Sequence, residues 1–266
     1  MLDCWQPVLG LSEGENERAV EQGYKAWHAY ESSIRKRARD VLDMLERENR
    51  LGIVMLARPY HHDPGLNHGI LEELQKRGYP VFSQNTLPFD EDLLDRLFGE
   101  EVRAGIISHP LDISDVWKTA TAASSNMKVW AAKFTARHPN LVALEISSFK
   151  CGHDAPVYTV VERIIEQSGT PYFCFKDLDE NKPANSIKIR VETIDYFLKR
   201  YSDDLPRRKQ VDSEIRTQLC QYERWLRESH GLPDLEHPDC ARGEIPATAG
   251  RAPCPECTTG GSQVPA

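Results

Sequence analysis

The sequence has no apolar run that approaches the length of about 18 residues needed to span a membrane. Its first residues lack the basic region and the apolar core of a secretory signal peptide. The chain has few positive charges: it contains 33 Lys and Arg and 41 Asp and Glu, which gives a formal net charge of −8. This balance argues against a nucleic-acid-binding surface. A cytoplasmic protein is therefore expected, with neither membrane nor nucleic acid as a partner.

Several nucleotide- and metal-binding motifs are also missing. The chain contains neither GxGxxG nor GxxxxGK[ST], so it has no dinucleotide fingerprint and no P-loop. His61, His62 and His68 lie close together, but adjacent loop histidines rarely bind one metal and no HExxH spacing supports a zinc site. In a reducing cytoplasm the seven cysteines are expected to be thiols or metal ligands rather than disulfides.

What the sequence does contain is an alternation of buried strands and amphipathic helices. Four apolar runs read as strands: Gly52–Ala57, Pro80–Ser83, Leu141–Ile146 and Tyr172–Phe175. Helical patterns over 69–77, 124–137, 157–165 and 187–198 alternate with them. Such alternation predicts an α/β fold with a doubly wound parallel sheet.

The segments around this sheet have different characters. A leading amphipathic helix is predicted over 21–50, and 87–117 reads as a lid or an excursion from the sheet. A charged helix is predicted over 211–228, and 231–266 is read as a disordered tail because it lacks aliphatic periodicity. The predicted organisation is therefore a helical segment over 1–50, an α/β lobe over 51–205, a C-terminal helix over 206–230 and the tail.

In a parallel sheet all strand-to-helix loops emerge at the same edge, so polar loop residues are expected to meet there. These loops carry Arg58, Tyr60, His61, His62, Asn67, His68, Cys151, His153, Asp154, Asp177, Asp179, Glu180, Asn181 and Lys182. We predict Arg58, Tyr60, Asn67 and Lys182 as cofactor-binding residues. Arg58, Lys150 and Lys182 suit a phosphate or carboxylate.

Cys151 lies on the turn between the third strand and the following helix. Gly152 permits a sharp turn there, and the N-terminus of that helix favours a thiolate. A buried structural cysteine is the alternative reading, but the position favours a metal or redox ligand. His153 and Asp154 are predicted as catalytic residues, because an imidazole near neutral pKa suits proton transfer.

The other cysteines fit a metal site less well. Cys254 and Cys257 form one CxxC pair in the predicted tail, with Cys240 upstream, and this is half of a zinc site. Cys4 and Cys220 stand alone, and Cys174 lies within a strand, where it is expected to be part of the core.

Three long segments resemble a known family. They are LARPYHHDPGLNHGILEELQKRGYPVFSQNTLP (56–88), NMKVWAAKFTARHPNLVALEISSFKCGHDAP (126–156) and SGTPYFCFKDLDENKPANSIKIRVETIDYFLKRY (168–201). Over roughly 50–205 the chain resembles the acyl-CoA dehydratase activase-related proteins, which are related to subunits of 2-hydroxyacyl-CoA dehydratase and benzoyl-CoA reductase. A weaker resemblance extends across the leading helix.

This resemblance implies two flavodoxin-like lobes that hold an iron–sulfur cluster, of the [4Fe–4S] type, through cysteine thiolates. It also implies an ATP-dependent activase that supplies a low-potential electron, and an acyl-CoA thioester as substrate. Cys151 falls where the family places a cluster ligand in the second lobe. The expected function is thus an iron–sulfur subunit of a low-potential reductase or dehydratase system, used in anaerobic metabolism.

The chain departs from the family in one respect. A cluster needs three or four ligands, and only Cys151 is well placed. Three explanations are open: a split subunit completed by a companion subunit, a piece of a longer gene, or tail cysteines that fold back. Two other functions compete with an iron–sulfur subunit: a non-catalytic interaction or regulatory module, and a small enzyme that binds an anionic metabolite through Arg58 and Lys182.

Overall fold

A four-stranded, all-parallel sheet forms the centre of the protein, in a computed structural model that describes residues 2–119, 122–147, 151–176, 178 and 184–232. Its strands are β1 (Gly52–Ala57), β2 (Val81–Ser83), β3 (Leu141–Ile146) and β4 (Tyr172–Phe175). They lie in the order β2-β1-β3-β4. The predicted doubly wound α/β class is confirmed, and the strand order agrees with a flavodoxin-like lobe.

The two central strands are buried on both faces. Every residue of β1 and β3 is buried, and the two strands run in register from Gly52 opposite Leu141 to Ala57 opposite Ile146. Helices cover both faces of such a sheet, so its central strands appear as unbroken apolar runs rather than alternating ones. This is why the sequence predicted the bounds of both strands correctly.

The described residues contain eight α-helices. They are α1 (Leu2–Leu9), α2 (Glu13–Glu48), α3 (Pro64–Asn67), α4 (Ile70–Lys76), α5 (Glu91–Arg103), α6 (Ala123–Arg137), α7 (Tyr158–Gln167) and α8 (Ala184–His230). Helices α2, α5, α6 and α7 contribute to the core on one face of the sheet. Helices α4 and α8 contribute to the core on the other face.

The leading helix begins eight residues before the predicted start. Its N-terminus is a capping box, in which Ser12 Oγ accepts a hydrogen bond from the Glu15 amide and Glu15 Oε2 accepts one from the Ser12 amide. The first turns of α2 carry many charges and few apolar residues, so periodicity alone did not reveal them. The spacing Ser12-x-x-Glu15 is the sequence signal for this start. Helix α1 was not predicted.

Helix α8 joins two predicted helices into one element of 47 residues, with Pro206 inside it. Residues 1–209 form one compact unit, which contains the sheet, and a second unit begins at Gln210. The predicted lid or excursion over 87–117 contains α5, and turns and bends follow it over 104–119. The predicted disordered tail lies outside the described residues from position 233 onward.

Two glycines give opposite expectations for substitution by alanine. A Cβ on Gly52 would lie 2.7 Å from Leu45 Cδ1 and 2.7 Å from Phe82 Cε2, inside the core, whereas one on Gly23 of α2 would meet nothing within 4 Å. Gly52→Ala is expected to lower the free energy of unfolding by about 1–3 kcal/mol through overpacking. Gly23→Ala should raise it by about 0.5–1 kcal/mol. Urea denaturation measures both, and an unchanged stability in Gly52→Ala would contradict the packing described.

Candidate functional site

The loops after β1 and β3 diverge at the carboxyl edge of the sheet. The chain leaves β1 towards α4, which packs on one face, and leaves β3 towards α7, which packs on the other. In open α/β sheets a crevice opens where neighbouring strands send their connections to opposite faces, and ligands bind there. Because β1 and β3 are neighbours, the crevice lies between the Arg58 loop and the Cys151 turn.

The side chains of Asp63 and Asn67 hold the Arg58 loop through short-range hydrogen bonds to its backbone. Asp63 Oδ1 accepts hydrogen bonds from the amides of Gly65 at 2.8 Å and Leu66 at 3.2 Å, and so caps α3. The fully buried Asn67 donates from Nδ2 to the His61 carbonyl at 3.0 Å, and its Oδ1 accepts from the Gly69 amide at 2.9 Å. Asn67 therefore holds the loop in shape through contacts with its backbone.

The Cys151 turn closes on itself and touches the Arg58 loop. The carbonyl of Cys151 accepts from the amides of Asp154 at 3.1 Å and Ala155 at 3.2 Å. Burial, followed by a hydrogen bond to the Cys151 side chain, raises the pKa of Tyr60 to about 12. The half-buried thiol and the phenol are therefore neighbours, one from each side of the crevice.

A continuous line of polar side chains lies beneath this turn. We call it the Lys128 network, and its members are Tyr172, Glu145, Lys128, Asp154, Ser147 and Tyr158. Lys128 Nζ lies 3.2 Å from Glu145 Oε1 and 3.1 Å from Asp154 Oδ1. Ser147 Oγ donates to Asp154 Oδ2 at 2.7 Å and also contacts the Tyr158 hydroxyl at 2.5 Å. Tyr172 donates to Glu145.

The charged centre of the Lys128 network is withdrawn from water. Lys128, Glu145 and Asp154 have no exposed surface, so one ammonium lies between two carboxylates in the interior, with one formal negative charge in excess. Burial, together with the adjacent charge of Glu145, holds the pKa of Tyr172 far above its usual range, so this phenol stays a hydrogen-bond donor. Burying charged groups lowers the stability of the folded protein unless each group has hydrogen-bond or ionic partners. A network whose members are partnered favours one arrangement of the chain.

Sequence reasoning missed Lys128, Glu145 and Ser147. The sequence did contain a signal for this network. Glu145 is a charged residue inside an apolar run, and the other residues of that run are buried on both faces of the sheet. Acidic side chains are almost never fully buried without a partner. A search for that partner would have led to a lysine on a flanking helix, but only the fold shows that it is Lys128.

The structure brings most of the predicted site residues to this edge but gives them different surroundings. His153 is exposed, and its carbonyl accepts from Ser125 Oγ at 3.2 Å. Asp154 is fully buried in the Lys128 network. Tyr60 is 45 % exposed, and Arg58 is half-buried. The predicted residues outside the described ranges are Lys150, Asp177, Asp179, Glu180, Asn181, Lys182, Cys240, Cys254 and Cys257.

The neighbouring histidines are neutral rather than charged. His61 is 3 % exposed, and burial lowers its pKa to about 4. His62 contacts Ser83 Oγ through Nε2 at 3.0 Å, and burial lowers its pKa as well. At neutral pH both rings can therefore donate one hydrogen bond and accept another.

Over the described residues, no three His, Cys, Asp or Glu side chains are grouped so that they could hold a metal ion. Cys174 is half-buried on β4, and burial raises the pKa of its thiol. Cys4 is exposed on α1. Within that part of the chain, the carboxyl edge between β1 and β3 thus carries one thiol, that of Cys151.

Removal of the buried ammonium gives a direct test of the Lys128 network. Lys128→Met leaves Glu145 and Asp154 buried without their counter-ion, so the free energy of unfolding is expected to fall by about 3–5 kcal/mol. The control is Lys36→Met on the exposed surface of α2, which should change it by less than about 0.5 kcal/mol. Equal stability of the two variants, measured by urea denaturation, would contradict the burial of this charge.

None of the helices in the described ranges is long and apolar enough to cross a membrane. No curated protein and no solved structure matches the chain. The family model of the CoA enzyme activase uncharacterised domain (DUF2229) matches residues 3–87. This span runs from α1 through β2 and includes the Arg58 loop, while Cys151 and the Lys128 network lie beyond it.

The match overlaps the first of the three segments that carry the resemblance, at 56–88, and also covers the leading helix. The segments at 126–156 and 168–201 lie outside it. The match at 3–87 supports the resemblance seen in the sequence. Residues 3–87 are thus similar to the CoA enzyme activase uncharacterised domain.

Proposed function

We propose that this chain is the thiolate-bearing lobe of an ATP-dependent, low-potential reductase or dehydratase system of the 2-hydroxyacyl-CoA dehydratase type. In this proposal Cys151 is one ligand of an iron–sulfur cluster that another polypeptide completes. The observation that carries the proposal is the half-buried Cys151 thiol, held at the mouth of the crevice between β1 and β3. The activase domain at 3–87 supports a role beside a dehydratase partner.

The donor set of the described residues fits a shared cluster and does not fit a complete one. Iron–sulfur clusters are bound by cysteine thiolates, commonly four, and the edge of the sheet contributes one. The remaining ligands must therefore come from outside the described residues, in a companion subunit or missing first lobe. When bound, such a cluster supplies single-electron chemistry at low potential.

The residues around Cys151 have separate tasks in this proposal. The Tyr60 hydroxyl lies beside the Cys151 side chain and would donate a hydrogen bond to a cluster sulfur, which is one of the factors that set the reduction potential. Asp154 positions the turn from within the Lys128 network. His153, which is exposed at the same turn, is the group placed to move a proton between solvent and a bound substrate.

Asn67 and Arg58 belong to the other side of the crevice. Asn67 fixes the backbone of the Arg58 loop, so that Arg58 and Tyr60 face the ligand. Lys182, outside the described residues, would add a second positive charge for an acyl-CoA thioester. The activase partner would dock beside the lobe and deliver the electron.

Anaerobic reconstitution with iron and sulfide tests this function. The full chain is reconstituted alone and with its companion subunit, and iron is measured together with the visible absorption of the cluster. We expect iron to bind only in the presence of the companion, and Cys151→Ala to abolish that binding. Cys4→Ala, which removes an exposed thiol on α1, should bind iron as the wild type does.

Two results would count against the proposal. Iron content unchanged by Cys151→Ala would remove Cys151 from the cluster. A stably folded chain that associates with its companion but remains iron-free would instead establish a non-catalytic interaction module.

A further inference from the structure

We propose that Arg58, His61 and the first turn of α6 form a binding site for a small oxyanion, namely the phosphate or carboxylate group of a metabolite. The inference rests on the proposed function for its location only. It names the class of ligand that binds at the same edge of the sheet. It is tested on the iron-free chain, so the two can fail separately.

Five of the ten unpartnered buried polar atoms in the described residues belong to the elements that meet at this place. In the part of the chain that the structure describes, Arg58 Nε, Arg58 Nη1, His61 Nδ1, Ser124 Oγ and Asn126 Oδ1 are buried and have no hydrogen-bond partner. Buried polar groups in native proteins are nearly always partnered, and charged groups without partners are the most costly exceptions. Such a group of atoms is expected where a ligand completes the hydrogen bonds.

The first turn of α6 supplies the second part of the site. This helix has 15 residues, and Ala122 at its N-cap position has no side-chain atom that can accept a hydrogen bond. The N-terminus of a helix presents amide groups and a partial positive charge, and so it attracts anions. Ser124 adds a hydroxyl to this turn, with no partner in the described residues.

Gln84 holds the two parts together. Its Oε1 accepts from the Ala57 amide at 3.0 Å, next to Arg58, while its Nε2 donates to the Ser124 carbonyl at 3.4 Å. Ser125, also in the first turn of α6, donates to the carbonyl of His153 at 3.2 Å. The end of β1, the start of α6 and the Cys151 turn therefore converge on one crevice.

The side chains of this crevice suit an oxyanion rather than a cation. Arg58 offers charged donors, and a neutral buried His61 can donate from Nδ1. The nearby carboxylate of Asp154 is paired with Lys128 at 3.1 Å, which offsets part of its repulsion of an anion. Asn126 Oδ1 can accept from a hydroxyl beside the anion or from the protonated oxygen of hydrogen phosphate.

Thermal unfolding and titration calorimetry of the iron-free chain with inorganic phosphate test the site, with sodium chloride at equal ionic strength as the reference. Acetate forms a second arm, which separates phosphate from carboxylate recognition. We expect one of the two anions to raise Tm beyond the chloride reference. Arg58→Gln should weaken its binding by about tenfold or more, since charge-assisted hydrogen bonds are lost.

Two further variants make the test decisive. Ser124→Ala removes one hydroxyl and should weaken binding by about two- to tenfold. Lys36→Gln, which changes the net charge as Arg58→Gln does but lies on α2, should bind like the wild type. Binding equal in Arg58→Gln and Lys36→Gln, or no anion-specific rise in Tm for either anion, would overturn the proposal. Cys151-dependent iron without anion binding would overturn this inference alone.

Discussion

The ion pairs of Lys128 with Glu145 and Asp154 are the constraint on which the candidate site depends. Lys128 comes from α6, Glu145 from the central strand β3 and Asp154 from the turn that carries Cys151. Three separate elements must therefore be in place before any of these charges can leave water. Since a buried charge without a counter-ion is strongly destabilising, the position of the Cys151 turn is coupled to the assembly of the sheet and α6.

This coupling gives the crevice between β1 and β3 a rigid floor and a more exposed rim. Asp154 and Ser147 have no exposed surface, whereas Tyr60 and His153 are open to solvent. A site that binds a ligand or a cluster needs its reactive groups held by rigid neighbours. The buried half of the Lys128 network provides that support, and the rim residues remain available to a ligand or partner.

Much of the fold could be predicted from the sequence, and less of the site. The bounds of β1, β3 and β4 were predicted correctly, because apolar runs between turn residues are local signals. Cys151, Arg58 and Tyr60 were placed at one edge by the parallel topology alone. The pairing of Lys128 with Glu145, 17 residues apart, was not predicted, since it depends on how α6 packs on β3. The start of α2 was missed because its first turns lack an apolar stripe.

A double-mutant cycle on Lys128 and Asp154 tests most directly whether a buried ion pair fixes the Cys151 turn. The free energy of unfolding is measured for the wild type, Lys128→Met, Asp154→Asn and the double variant. The structure predicts that the double variant is more stable than the sum of the single losses implies, with a coupling free energy of about 0.5–3 kcal/mol. Additive losses, within about 0.3–0.5 kcal/mol, would show that the two side chains do not interact and would contradict this account.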